Sequence, residues 1–320
     1  MKVTDIWSAA ALLLACHNPT LPTPGAPVSS VQNEVSIHRT EVLDTFLVHR
    51  EYRAGAPIVF LHGNPVSSHV WRKVIPTIET PARLLAPDLV GMGESGKPES
   101  AYRFQDHARY LDAWFAAHDL RDVILVGYDW GAVLALDWAA RNPDRVRGVV
   151  FFETFLRPLR WSEYPPKGAE LFRALRTPGV GEVLVLEQNG FLAPSLQHGV
   201  QTHLAESDRE RYYAPYPDPP SRRPLLQWTR ELPIDGEPAD VVAVLDRNAA
   251  WLAGSPAIPK LLLTFDGGRL SNAPDVVEWA RTTVPALDVV HLGAAGHHAP
   301  EDAPEAIARA IDAWLARRVR

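Results

Sequence analysis

The sequence predicts an α/β protein: a mostly parallel central sheet flanked by helices, with an inserted helical cap. Three observations carry that reading. First, six short runs are apolar and bounded by Gly, Asp or Pro: IVFLH (58–62), RLLAPD (83–88), VILVG (123–127), RGVVFFE (147–153), KLLLTF (260–265) and LDVVHLG (287–293). Runs of this length and composition read as buried strands. Second, segments near 105–118, 131–141, 239–253, 274–283 and 303–318 carry apolar residues at helical spacing. Strands that alternate with helices form a sheet covered on both faces, with ligand sites at the carboxyl ends of the strands. Third, the alternation breaks between about 156 and 236, where Pro, Trp, Tyr and Phe gather in stretches such as WSEYPPKGAELFRALRTPGV and PYPDPPSRRPLLQWTRELP. A structureless loop of that length is uncommon in a domain, so the stretch reads as a helical cap over the strand ends. The expected layout is a leader and Pro-rich tether over 1–40, a core over 41–155 and 236–320, and a cap over 156–235.

Bulk properties exclude several classes. With 46% hydrophobic and 22% charged residues, the 320-residue chain has an ordinary globular composition. A net charge of −6 gives no electrostatic footprint for nucleic acid. One cysteine, Cys16, rules out an internal disulfide framework. No apolar run reaches the roughly 18 residues that a membrane-spanning helix needs. The N-terminus has more character. Lys2 is followed by an apolar run over 6–15, and LLAC (13–16) resembles the bacterial lipoprotein lipobox, with the chain's single cysteine in the lipid-modified place. Pro19, Pro22, Pro24 and Pro27 then suit an extended tether. Residues 1–15 are thus expected to be an export signal and Cys16 a lipid anchor; the alternative is an irregular extension on a cytoplasmic protein.

The chemistry centres on VGYDWGA (126–132). Gly127 and Gly131 flank Asp129 in the Gly-x-nucleophile-x-Gly elbow of the α/β-hydrolase fold, which lifts the central side chain above the sheet. The bland reading of Asp129 is a helix N-cap. In HGNP (62–65), residue Asn64 is placed to give one backbone N–H of an oxyanion hole, and Trp130 the other. Both side chains also carry N–H donors able to bind an anion. In HLGAAGHHAP (291–300), His297 falls in the loop where this fold puts its base, with His298 a supporting or surface neighbour. The acid that orients the base is Glu153, at the end of the fourth predicted strand, or Asp266, at the end of the fifth; Glu153 is preferred.

These residues resemble the haloalkane dehalogenases, over roughly 45–318. HGNPVSSHVWRKVIP, APDLVGMGESGKP, GYDWGAVLALDWAARNPDRVRGVVFFE and DPPSRRPLLQW…ELPIDGEPADVV carry the likeness, the last lying in the cap, which the fold alone does not dictate. The resemblance implies Asp129 as nucleophile, His297 as base, Glu153 as acid and Asn64 with Trp130 as halide-binding side chains. It also places Phe172, Phe191 and Pro224 on the pocket lining, where simple packing is the competing explanation. Asp266 is a departure from members with the Glu acid, and TFDGGRLSNAP (264–274) is also similar to a marine coelenterazine luciferase of the same fold.

The implied reaction is in-line displacement of halide by the Asp129 carboxylate, then hydrolysis of the alkyl ester by water that His297 deprotonates, giving a primary alcohol, halide and a proton. The implied partners are a small apolar halogenated substrate and a halide ion. No metal-ligand spacing or phosphate loop calls for a cofactor. Competing readings are an epoxide hydrolase using Tyr212, Tyr213 or Tyr216 of the cap, a luciferase-like monooxygenase, and a binding protein on an inactive scaffold.

Overall fold

The computed structural model describes residues 34–268 and 270–319. Eight strands form one sheet: β1 (Val35–Val42), β2 (Thr45–Tyr52), β3 (Ala56–Leu61), β4 (Ala82–Pro87), β5 (Val123–Tyr128), β6 (Val146–Phe152), β7 (Lys260–Thr264) and β8 (Leu287–His291), in the order β1-β2-β4-β3-β5-β6-β7-β8. From β4 to β8 every pairing is parallel, whereas β1 and β2 form an antiparallel hairpin that joins at β4. Among the described residues ten α-helices accompany it: α1 (Phe104–Ala117), α2 (Trp130–Arg141), α3 (Pro166–Arg176), α4 (Leu192–Gly199), α5 (Glu206–Tyr213), α6 (Arg223–Arg230), α7 (Ala239–Gly254), α8 (Pro274–Thr283), α9 (Ala299–Asp302) and α10 (Pro304–Arg318).

Strands β5 and β7 are buried along their whole length, as expected where helices cover both faces of a parallel sheet. Helix α2 is apolar nearly all round and packs on β3, β5, β6 and α7, so it is the central helix of the core. Trp314 of α10 fits against Gly148 of β6, where an added Cβ would come within 2.7 Å of the indole. The six predicted strands and five predicted helices all form. The hairpin was missed: β1 is solvent-exposed along nearly all its length, so burial leaves no pattern to read. It also overlaps the stretch read as leader 1–40, since Val35 to Thr40 belong to the sheet. The remaining leader, Cys16 included, lies outside the described residues.

Between β6 and α7 the chain forms α3 to α6 and a π-helical segment, Glu182–Glu187. This insertion meets the carboxyl ends of the strands through named contacts. Ser195 Oγ lies 3.2 Å from His298 Nε2, Asn64 Nδ2 donates to the Leu225 carbonyl at 3.4 Å, and Trp228 stacks on Trp130. A second tie runs through Glu301 of α9, which is buried. Arg72 donates to both of its oxygens, Lys73 Nζ to one at 3.1 Å, and the Tyr212 hydroxyl of α5 to the other. Arg72 also pairs with Asp208 of α5. Among the described residues no helix is long and apolar enough to cross a membrane.

Candidate active site

Asp129 stands between β5 and α2 with φ 51° and ψ −133°, a left-handed conformation that non-glycine residues seldom adopt. The turn is tight enough that a Cβ on Gly131 would collide with the Leu61 carbonyl, and one on Gly127 would come within 2.8 Å of the Ala132 backbone. Both glycines are therefore required by close backbone approach. Asp129 serves as an elbow and not as a cap: its side chain makes no capping bond to α2.

The loop after β3 supplies the other wall. Asn64 donates its backbone N–H to Asp129 Oδ1 at 2.8 Å. A Cβ on Gly63 would overlap the Asp129 carboxylate, which is why the loop can come so near. His62 pins that loop: its Nε2 accepts the Leu89 N–H at 2.9 Å, leaving Nδ1 to donate to the Gly63 carbonyl at 2.9 Å. Burial lowers its pKa, so it serves as a neutral brace. The Asn64–Pro65 peptide is cis.

His297 lies with Nε2 3.7 Å from Asp129 Oδ2 and Nδ1 3.2 Å from Glu153 Oε2. Glu153 is fully buried and its other oxygen accepts from Asn272 Nδ2 at 2.9 Å. The Asp129 N–H donates to the Glu153 carbonyl at 3.0 Å, since β6 is the neighbour of β5. Asp266 is elsewhere: its exposed carboxylate accepts from His291 Nε2 at 3.0 Å. Glu153, and not Asp266, is the carboxylate brought to His297. His298 is no surface residue. It is buried, bonded to the Tyr128 hydroxyl at 3.2 Å and to Ser195, and burial drives its pKa far down.

Burial raises the pKa of Asp129, while the nearby His297 and the backbone N–H groups of Trp130 and Asn64 pull it back. A carboxylate with Oδ1 held by the Asn64 N–H keeps Oδ2 for attack. Above it, the Trp130 indole is buried against Trp228, Phe155 and Phe104, with ring centroids 4.5, 5.1 and 6.1 Å away. Pro224 opens α6 beside Leu225 and rests on Gly91. Phe172 packs, half-buried, on Tyr164 at 5.3 Å, and half-buried Phe191 precedes α4. Tyr212 is committed to Glu301. Burial pushes the Tyr164 phenol up, with Arg176 opposing the rise and the Glu163 and Asp129 charges adding to it. Asn272, Trp228 and Tyr164 were not anticipated. Among the described residues no group of three or more His, Cys, Asp or Glu could hold a metal ion.

The strand order and the elbow define an α/β hydrolase. Residues 56–304 match the family described as alpha/beta hydrolase fold. The haloalkane dehalogenase of Mesorhizobium japonicum is 44% identical, covering 93% of this chain and 94% of its own. That of Agrobacterium fabrum is 46% identical over 83% of this chain and 87% of its own. The crystal structure of the haloalkane dehalogenase DatA from Agrobacterium tumefaciens is 42% identical with a TM-score of 0.86, covering 92% of this chain and 100% of that one. The chain belongs to the haloalkane dehalogenase family.

Proposed function

We propose that the protein hydrolyses haloalkanes to a primary alcohol, a halide ion and a proton through an ester on Asp129. The observation that carries this is the Asp129 carboxylate, gripped at Oδ1 by the Asn64 N–H and open at Oδ2 toward His297. In the first step Oδ2 attacks the saturated carbon in line and the C–X bond breaks, its electron pair leaving with the halide. The side-chain N–H groups of Asn64 and Trp130 receive that charge in a dry site, where it appears only as the bond breaks. A serine there would leave an ether that water does not cleave, whereas the Asp ester keeps a carbonyl.

In the second step His297 Nε2 takes a proton from water, and the hydroxide oxygen adds to the Asp129 carbonyl carbon. The backbone N–H groups of Asn64 and Trp130 stabilise the oxyanion that forms at Oδ1. Collapse expels the alkoxide, which is protonated to the alcohol. Glu153 holds His297 with its Nδ1–H directed away from the reacting water and offsets the imidazolium charge. Phe172, Phe191 and Pro224 shape the apolar pocket beneath the cap, 156–235.

The epoxide reading requires a free cap phenol to protonate the epoxide oxygen. Of the tyrosines named for that reading, Tyr212 donates instead to Glu301 and Tyr216 is buried beside the Asp88 charge; Tyr213, and Tyr164 nearer to Asp129, are left for the assay to decide. Bromide release from 1,2-dibromoethane and 1-bromobutane, run beside hydrolysis of styrene oxide, separates the two. Bromide release with no epoxide turnover is expected; turnover of the epoxide alone overturns the assignment. Export as a lipoprotein anchored at Cys16 rests on LLAC and the prolines after it. A lipid-modified N-terminal cysteine on the mature chain is expected, and a soluble chain beginning at Met1 would rule it out.

A further inference from the structure

Helix α6 reaches both side chains assigned to the halide. Its Leu225 carbonyl accepts from Asn64 Nδ2 at 3.4 Å. One turn on, the Trp228 indole lies on the Trp130 indole, with centroids 4.5 Å apart and planes 27° from parallel. His107 of α1 stacks on Trp228 as well, at 4.1 Å and 23°. Two near-parallel rings this close to one indole must take its opposite faces, so Trp228 sits between Trp130 and His107. Both Trp228 and His107 are buried. Trp228 Nε1 has no hydrogen-bond partner among the described residues, and His107 has only the Tyr102 backbone beside it. Ring faces and dispersion hold the stack, not directional bonds.

Helix α6 is itself held at both ends. Pro224 rests on Gly91, where an added Cβ would approach Pro224 Cγ to 2.6 Å. At the other end Glu231, buried, accepts the Phe104 N–H at 3.0 Å and Arg103 Nε at 3.2 Å, both from the start of α1. Phe104 then flanks Trp130 and Trp228, 6.1 and 6.4 Å away. The beginning of α1 and the whole of α6 therefore form one buttress behind the indole.

We infer that Trp228 is a positioning residue, which sets the plane of the Trp130 indole so that its N–H meets the departing halide while α6 holds the Asn64 amide beside it. This rests on the dehalogenase reading. Donors displaced by about 1 Å lose much of their effect on a transition state, by as much as about a hundredfold. Removing the Trp228 ring slackens the halide donors and leaves Asp129, His297 and Glu153 in place. Ester formation and halide binding should suffer; ester hydrolysis should not.

The test begins with the unaltered protein: bromide titration followed by tryptophan fluorescence, and single-turnover reaction with 1,2-dibromoethane to resolve ester formation from hydrolysis. An unaltered protein that forms no ester overturns the dehalogenase reading itself. Given an ester, Trp228→Phe keeps a flat ring and loses an N–H that bonds nothing. It should hold bromide within about threefold of the parent, in line with the small worth of an aromatic contact beyond its area. Trp228→Leu should raise the bromide dissociation constant about tenfold and slow ester formation by about 10- to 100-fold, with hydrolysis within about twofold. If that variant fails to fold, His107→Leu reads the same coupling from the other face, with bromide binding weakened about threefold and the same split between steps. Unchanged bromide affinity, or equal slowing of both steps, in the folded variant overturns the assignment.

Discussion

Glu153→Gln keeps the size of a buried side chain and an oxygen for Asn272, but removes the charge 3.2 Å from His297 Nδ1. During ester hydrolysis His297 takes a proton, and the carboxylate stabilises the resulting cation. At an effective dielectric of about 20, opposite unit charges at that 3.2 Å separation attract by about 5 kcal/mol. At about 1.4 kcal/mol per decade that is nearly four decades in rate. The Gln dipole returns part of it, so ester hydrolysis should slow by about 10³- to 10⁴-fold, close to the cost of the same change in a serine-hydrolase triad. Ester formation needs no imidazolium and should change by less than about tenfold. Asp266→Asn should change either step by less than about twofold, because an exposed pair with His291 is worth little. Rapid-quench single turnover with 1,2-dibromoethane, following bromide and alkylated protein separately, reads both steps. A larger loss from Asp266→Asn, or near-normal hydrolysis in Glu153→Gln, would refute the reasoning.

Acid should unfold the protein early. Burial pulls His49 down to about 4 and His107 to about 3, and it lowers His62 and His298 too. Each has a folded pKa below its unfolded one, so the unfolded chain binds more protons. Stability therefore falls as pH drops below about 6.5, by about 1.4 kcal/mol per pH unit for each group. Urea midpoints at pH 7, 6 and 5 should fall steadily, and a flat series would contradict this. Arg72→Ala strips Glu301 of a two-pronged partner and leaves Asp208 of the cap helix α5 with His69 alone. The loss should be about 3–5 kcal/mol by denaturant titration, and a loss below about 1 would show that the buried tie contributes little. Gly131→Ala drives a methyl into the Leu61 carbonyl, so it should lower Tm and halide release together although alanine favours helices; a stabilised, active variant would deny the tight elbow.

The central strands were legible because burial on both faces leaves apolar runs such as VILVG and KLLLT. The β1–β2 hairpin was not, because an exposed edge needs no such run. The cap was legible only as a break in rhythm. Its α4 and α5 have eight residues each, and Pro166, Pro220 and Pro224 interrupt the apolar periodicity. At the site, Asp129 stood out through the glycines its turn demands. Glu153 and Asp266 looked alike because each follows a strand; only the sheet order sets Glu153 next to Asp129 and turns Asp266 toward His291. Asn272 and Trp228 carry no local signature, since their roles depend on partners far along the chain.

The covalent ester is tested most directly by His297→Phe incubated with 1,2-dibromoethane, digested, and read by mass spectrometry. Without its base the protein should stall after one displacement, with a bromoethyl group on the peptide that contains Asp129 and one equivalent of bromide released. An unmodified Asp129 peptide alongside continued bromide release would contradict nucleophilic attack by this carboxylate.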